Sequence, residues 1–357
     1  MLSGANQAKI LKAFTAWRET LRDPDLSQLR AKGSSLFDQQ ATVHMCHPFG
    51  DQNGVSDWVD SCFEPLMRAL PDLERRDTIV IHGLDQNGEH WIGCCGYYCG
   101  TFVSPLLDIP PTGQFTHMRF HEFYRVTETG IDQVQAIWDL VEVMMQADAW
   151  PISPSLGREG LVPSPATSDG LKTLSEEAIN ASARTTSEHV GLVTKMLNAL
   201  MQHPAQGGPE VMNLPDYWHK NTTWYGPAGI GTCRGLTGFR HWHQIPFLNA
   251  MPDRGKQHNE NDGHLFGQDN YVAVTGWPNM RQTLSADGWL GIAPSGQQVT
   301  LRSLDFWRIE NGKIAENWVL VDLLDLYAQV GVDVFARLRE FNKARNLGTI
   351  ELPREQL

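Results

Sequence analysis

The chain says nearly the same thing twice. Arg119-Phe-His-Glu122-Phe-Tyr-Arg125-Val126 returns as Arg302-Ser-Leu-Asp305-Phe-Trp-Arg308-Ile309. The register then holds without a gap, with Asp139 answered by Asp322 and Gln146 by Gln329, each 183 residues later. Pro111-Thr-Gly-Gln114 precedes Pro294-Ser-Gly-Gln297 by the same interval, and Ala69-Leu-Pro71-Asp72 precedes Ala250-Met-Pro252-Asp253 by 181. Solenoid units run about 20 to 50 residues, so a period this long is a duplicated domain. A length of 357 residues accommodates two such domains. Any functional reading must therefore be tried at two places.

Each copy places helix before strand. Ile10, Leu11, Phe14, Trp17 and Leu21 recur at helical spacing, and Asp23-Pro24 ends that helix. Residues 116–126 and 299–309 alternate and are rich in aromatic and β-branched side chains, as strands are. Asn311-Gly312 supplies the positive φ of a tight hairpin turn before a second strand over 314–322. A short helix over 322–329 closes the copy. Between the copies, residues 151–172 are rich in Pro, Ser and Gly. Thr173-Leu-Ser-Glu176 then matches a capping box opening a long helix with Val193, Met196, Leu197, Leu200 and Met201 on its apolar face. The expected class is α+β. Its domains span 1–150 and 173–340, with a tail over 341–357.

Composition narrows the partners. With 41% hydrophobic and 20% charged residues the chain is globular, and its net charge of −12 comes without any basic stripe. Nucleic acid and anionic membrane surfaces are excluded on that ground. The opening residues lack the charged-then-apolar pattern of a secretory signal, and no apolar run is long enough to span a bilayer. Five of the six cysteines fall in the first copy, which is no disulfide framework. Free thiols and a cytoplasmic location are expected.

The second copy carries the residues of a family. Gly235-Leu-Thr-Gly-Phe239, Met251-Pro-Asp253, Pro294-Ser-Gly-Gln297, Asp305-Phe-Trp-Arg308 through Gly312 to Trp318, then Asp322 and Gln329-Val-Gly331 follow in order. Residues 205–335 resemble the SnoaL-like polyketide cyclases of the nuclear-transport-factor-2-like superfamily. The first copy, over 36–150, is similar but has drifted: Gln135 stands where the second copy has Trp318. The resemblance implies two tandem cone-shaped barrels, each a curved, mostly antiparallel sheet packed on its N-terminal helices around an apolar pocket. It also implies cofactor-free ring closure by intramolecular aldol condensation, with a carboxyl group moving the proton.

Asp305 sits mid-strand in apolar company, and burial raises a carboxyl pKa by disfavouring the charged form. Alternation turns Arg302 and Arg308 to the opposite face, away from it. The superfamily relative ketosteroid isomerase keeps an aspartate neutral in this way, and its Asp-x-x-Arg strand is similar to Asp305-Phe-Trp-Arg308. By position, the family's acid/base aspartate is similar to Asp322, although Asp before a helix also suits an N-cap. His219, in Asp216-Tyr-Trp-His219, is a further proton-relay candidate. Trp224, Tyr225, Trp307, Trp318 and Arg281 are candidates for lining the substrate pocket. Glu122 and Asp139 are the first-copy counterparts of the two aspartates. His241-Trp-His243 and His44-Met-Cys46-His47 lack the convergent partners a metal needs, so neither metal nor cofactor is expected.

The leading reading is a SnoaL-like enzyme that enolises and cyclises an apolar carbonyl compound in the second copy. A non-catalytic ligand-binding or assembly module, with the copies paired as a pseudo-dimer or the chain as a homo-oligomer, is the alternative. Hydrolysis of an epoxide or lactone, to which Arg281 or His264 would contribute, is a third.

Overall fold

The structure, a computed structural model, describes residues 4–166, 176–255, 263–345 and 347–351. It divides into two compact units: Met1–Val80 with Cys94–Ile152 and Gly331–Leu357, and Ile81–Gly93 with Ser153–Val330. Two segments fall differently from the domains expected at 1–150 and 173–340. The hairpin segment Ile81–Gly93 groups with the second unit, and everything from Gly331 groups with the first. The proline-rich stretch also has a side: Gly157 N–H donates to Ile230 O at 2.7 Å and Arg158 exchanges backbone bonds with Thr232. The expected capping box at 173–176 lies outside the described residues. Among those residues no helix is long and apolar enough to cross a membrane.

In the first sheet the strands are β1 (Phe37–Met45), β2 (Asp51–Asn53), β3 (Glu74–Leu84), β4 (His90–Thr101), β5 (Phe115–Val126) and β6 (Ile131–Trp138), ordered β2-β1-β6-β5-β4-β3. The second sheet repeats that order with β7 (Trp218–Tyr225), β8 (Thr232–Arg234), β9 (His264–Gln268), β10 (Tyr271–Thr275), β13 (Ser303–Glu310) and β14 (Lys313–Val321), as β8-β7-β14-β13-β10-β9. A separate ribbon joins β11 (Met280–Thr283) to β12 (Gln298–Leu301). The α+β class is as expected, but neither sheet closes: each ends on two open edges rather than forming a barrel. Pairing is mostly antiparallel, with β1 parallel to β6 and β7 parallel to β14.

The duplication reaches individual bonds. Gln146 Nε2 donates to His117 O and its Oε1 accepts from His117 N–H; Gln329 makes the same pair with Thr300. Asp72 accepts from the N–H and hydroxyl of Thr101, and Asp253 does so from Thr283. Gly54 and Gly235 open equivalent helices at φ +80° and +70°, where an added Cβ would lie 3.2 Å from a carbonyl of the neighbouring strand. A side chain there would be both strained and crowded. Each of these helices runs through one π-helical turn, Val59–Phe63 or Arg240–Gln244.

The copies differ first between Thr275 and Met280, where the second unit has β10 and β11 in place of the continuous β4, and again at Arg302. The strand expected over 299–309 is continuous in the first unit, as β5, but breaks at Arg302 in the second. Asn279 bridges the break, its amide donating to Ser303 O and accepting from Ser303 N–H, both at 3.1 Å. That side chain does the work of a strand partner and holds Ser303 and Asp305 at the mouth of the sheet.

Candidate active site

Strand alternation and pairing register assemble one face of the second sheet. Asp305 lies opposite Val319 and Trp307 opposite Asn317, while Trp224 pairs with Asn317 from the parallel side. Opposed residues share a face, so Asp305, Trp307, Asn317, Val319 and Trp224 line one cavity. The helix Glu176–Leu200 closes it with Met196, Leu197 and Leu200, and the π turn adds His243 and Gln244. Trp224 folds back over Gly226, where a Cβ would meet its ring at 2.1 Å. This cavity measures about 100 Å³. A second cavity of about 350 Å³ shares Leu197, Arg254, Met280, Ser303 and Asp305 with it. Its remaining wall is more polar, with Thr194, Asn198 and Asn279. Asp305 and Arg254 thus stand where an aromatic chamber meets a wider one.

The electrostatics of the cavity are unusual. Burial pushes the Asp305 carboxyl up to about 7, against the opposing pull of the Ser303 hydroxyl and the Arg254 charge. Burial also lowers Arg254 to about 10. His243, stacked on Trp224 at 4.0 Å, is driven down to about 3 by burial and by Arg254, so it stays neutral at physiological pH. A carboxyl poised near neutrality in an apolar cavity has the equilibrium a general acid/base requires.

The structure places the candidate residues unequally. Asp305, Trp224 and Trp307 line the cavity. Asp322 does not: it caps the helix Leu323–Gln329 by accepting from Asp325 N–H, and it pairs with Arg302 at 3.2 Å. Tyr225 and Trp318 stack at 5.1 Å on the opposite face, where Tyr225 also donates to Glu316. His219 is exposed on β7, its Nδ1 accepting from Asn221 N–H. Arg281 lies on β11 and lines neither cavity.

One residue of irregularity separates Asp322, Tyr225 and Trp318 from the site. The β13–β14 register shifts between Arg308 and Ile309. Carried on unbroken from the Ile309–Ile314 pair, the ladder would set Asp305 opposite Trp318, with Asp322 on the same face. The bulge exchanges the faces, because side chains alternate with a period of two. The first unit has the same shift, between Arg125 and Val126.

The first unit answers Asp305 with a closed network. Glu122 is fully buried and accepts from Arg75 at 2.6 Å, Tyr98 and the Trp138 indole at 2.9 Å each, and Tyr124. Asp139 caps its helix as Asp322 does. Trp17 packs edge to face with Phe37 and Tyr124 behind it, and Trp58 packs edge to face with Phe37. Position by position, Phe63, Tyr98 and Trp138 give way to Gln244, Met280 and Val321, so the second unit has less side chain to fill the same space.

The repeat held a further signal. Leu73 and Cys62, both core residues of the first unit, stand 181 residues before Arg254 and His243. A charged or polar side chain at a position its own duplicate uses as core marks a site. Arg254 and His243 line the cavity at such positions; motif reading weighed His243 only as a metal ligand and did not single out Arg254.

Residues 210–330 match the family model of SnoaL-like polyketide cyclases. No curated protein matches the chain. Among solved structures, AclR from Streptomyces galilaeus shares 13% identity over 40% of this chain and 96% of its own, with a TM-score of 0.33. IdmH from Streptomyces antibioticus shares 18% identity over 39% and 98%, with a TM-score of 0.31. A SnoaL-like polyketide cyclase from Agrobacterium tumefaciens shares 19% over 38% and 96%, with a TM-score of 0.30. Over residues 210–330 the second unit of this chain thus carries the sequence pattern of the SnoaL-like polyketide cyclases.

Proposed function

We propose that the second unit is an acid/base catalyst that enolises and cyclises an apolar, polyketide-like carbonyl compound. The observation that carries this reading is Asp305, a half-buried carboxyl at the junction of two cavities, poised at about 7. In its ionised form Asp305 takes a proton from a carbon between two carbonyls, and the C–H electron pair becomes the enolate. The enolate carbon attacks a second carbonyl carbon of the same molecule, forming the ring bond. The oxygen of that carbonyl becomes an alkoxide and recovers the proton from Asp305. Atoms and charge balance without any further group. Trp224 and Trp307 give the folded chain flat apolar walls, holding its ends together and excluding water.

The first unit, with Glu122 fully committed to four donors, serves as a structural partner in this reading. The test is deuterium exchange at the acidic carbon of a linear aryl 1,3,5-triketone in heavy water, followed by ring closure. Asp305→Asn should slow both by about 10² to 10⁴-fold, the usual contribution of a positioned acid/base. Glu122→Gln, assayed per folded molecule, should leave both unchanged. Exchange undiminished in Asp305→Asn would sink the proposal.

A further inference from the structure

Arg254 is a half-buried charge that has no acceptor among the described residues. It follows the repeated Pro-Asp pair, at the position where the first unit has the core residue Leu73. Its Nε is buried without a hydrogen-bond partner, and among the described residues its guanidinium forms no hydrogen bond or ion pair. The ring of Phe247 lies 5.4 Å below it, and Asp305 shares its cavity without reaching ion-pair distance. The more deeply buried arginines, Arg75, Arg119 and Arg308, each have a carboxylate within ion-pair distance, Arg119 meeting Asp139 at 3.8 Å. Arg75 is held by Asp77 and Glu122, and Arg308 by Glu310 and Glu316. Burying a guanidinium costs several kcal/mol unless an acceptor compensates it. A cavity that keeps one uncompensated is set up to receive an anion.

We propose that the ligand of the second unit is an amphipathic carboxylic acid whose carboxylate pairs with Arg254, while its ring system lies against Trp224 and Trp307. The fork of a guanidinium matches a carboxylate with two parallel hydrogen bonds. Arg254 lines both cavities, so a carboxylate on it leaves the aromatic chamber for the rings and the wider chamber for the remaining chain. At neutral pH Asp305 is close to half-protonated, so the pair of groups presents net positive charge to the incoming acid. His243 adds none, being neutral. This inference deepens the catalytic reading by naming the substrate class, a free keto acid rather than its ester or amide. It rests on that reading only for the chemistry that follows binding.

The experiment titrates the full chain with 2-naphthoate, its methyl ester and its primary amide, read by quenching of tryptophan fluorescence at pH 7. The expected result is 2-naphthoate binding at least about tenfold tighter than either neutral analogue, as one charge-assisted contact would give. Arg254→Met should bring the three to parity, and Arg254→Lys should retain part of the preference. Equal binding of acid and amide by the unmodified protein overturns the proposal without any variant having to fold. So does a preference that survives intact in Arg254→Met. Asp305→Asn separates the two readings: it should abolish carbon-acid exchange yet keep or strengthen the preference for the acid. Exchange without any acid preference would leave the catalytic reading standing and remove this one.

Discussion

Asp305 and Glu122 occupy one position of a duplicated domain and have opposite fates. Glu122 spends its oxygens on Arg75, Tyr98, Tyr124 and Trp138, whereas Asp305 has the Ser303 hydroxyl and a cavity. The difference predicts a pH signature. An unfolded aspartate titrates near about 3.9, and folded Asp305 at about 7. Between those values the folded group holds a proton that the unfolded one has lost, so its contribution to stability falls as pH rises and levels off above about 7. The full displacement corresponds to at most about 4 kcal/mol, and contact with cavity solvent reduces it. Asp305→Asn removes the ionisation. The variant should therefore be more stable than its parent at pH 8, with the gap closing toward pH 4, as measured by urea denaturation at both values. A variant less stable at pH 8 would show that the carboxylate is held by contacts absent from this structure. That Asp305 faces away from Arg302 and Arg308 was legible from strand alternation. The facing of Asp322 was not, because which face follows a hairpin depends on a one-residue bulge that no local pattern announces.

At the scale of elements, the two copies share their fastenings and differ in what those fastenings hold. Asp139 and Asp322 cap the helices that close each copy, each accepting the N–H three residues on at 3.1 Å, and each faces the arginine at the equivalent position of its copy, Arg119 or Arg302. Substitution of either by Ala should cost about 0.5 to 2 kcal/mol as a lost cap. Since Asp322 faces away from the cavity, Asp322→Ala should leave carbon-acid exchange within about twofold per folded molecule. A loss approaching that of Asp305→Asn would return Asp322 to the catalytic machinery. The closing helix and the late strands could be read from periodicity and a capping aspartate, both local signals. The break at Arg302 could not, because the side chain that bridges it, Asn279, lies 24 residues away in sequence. Nor could the cavity, which exists because Phe63, Tyr98 and Trp138 of one copy become Gln244, Met280 and Val321 in the other. Only the alignment of copy against copy exposes that exchange.

Over the whole molecule, the chain does not divide where its repeat divides. The last described residues serve the first unit: Val334 and Leu338 are buried, Arg345 donates to Ala147 O at 2.6 Å, and Ile350 N–H donates to Val103 O at 2.7 Å. The repeat ends at Val330, so nothing in the duplicated pattern signals this return. Truncation after Val330 tests it. Losing two buried aliphatic side chains alone forfeits about 3 to 6 kcal/mol, and a unit of this size shifts by about 2 to 4 °C for each kcal/mol. The first unit should therefore melt about 10 °C or more lower. The second unit keeps its helix Glu176–Leu200, its sheet and its cavity, and has no such reason to weaken. Hydrogen exchange resolves the two, since amide protection reports the local opening free energy. Protection should fall across β5 and β6 and persist across β13 and β14. Equal loss in both sheets would mean that the units unfold as one, and that the duplicated domain has become a single cooperative body whose filled half stabilises its hollow one.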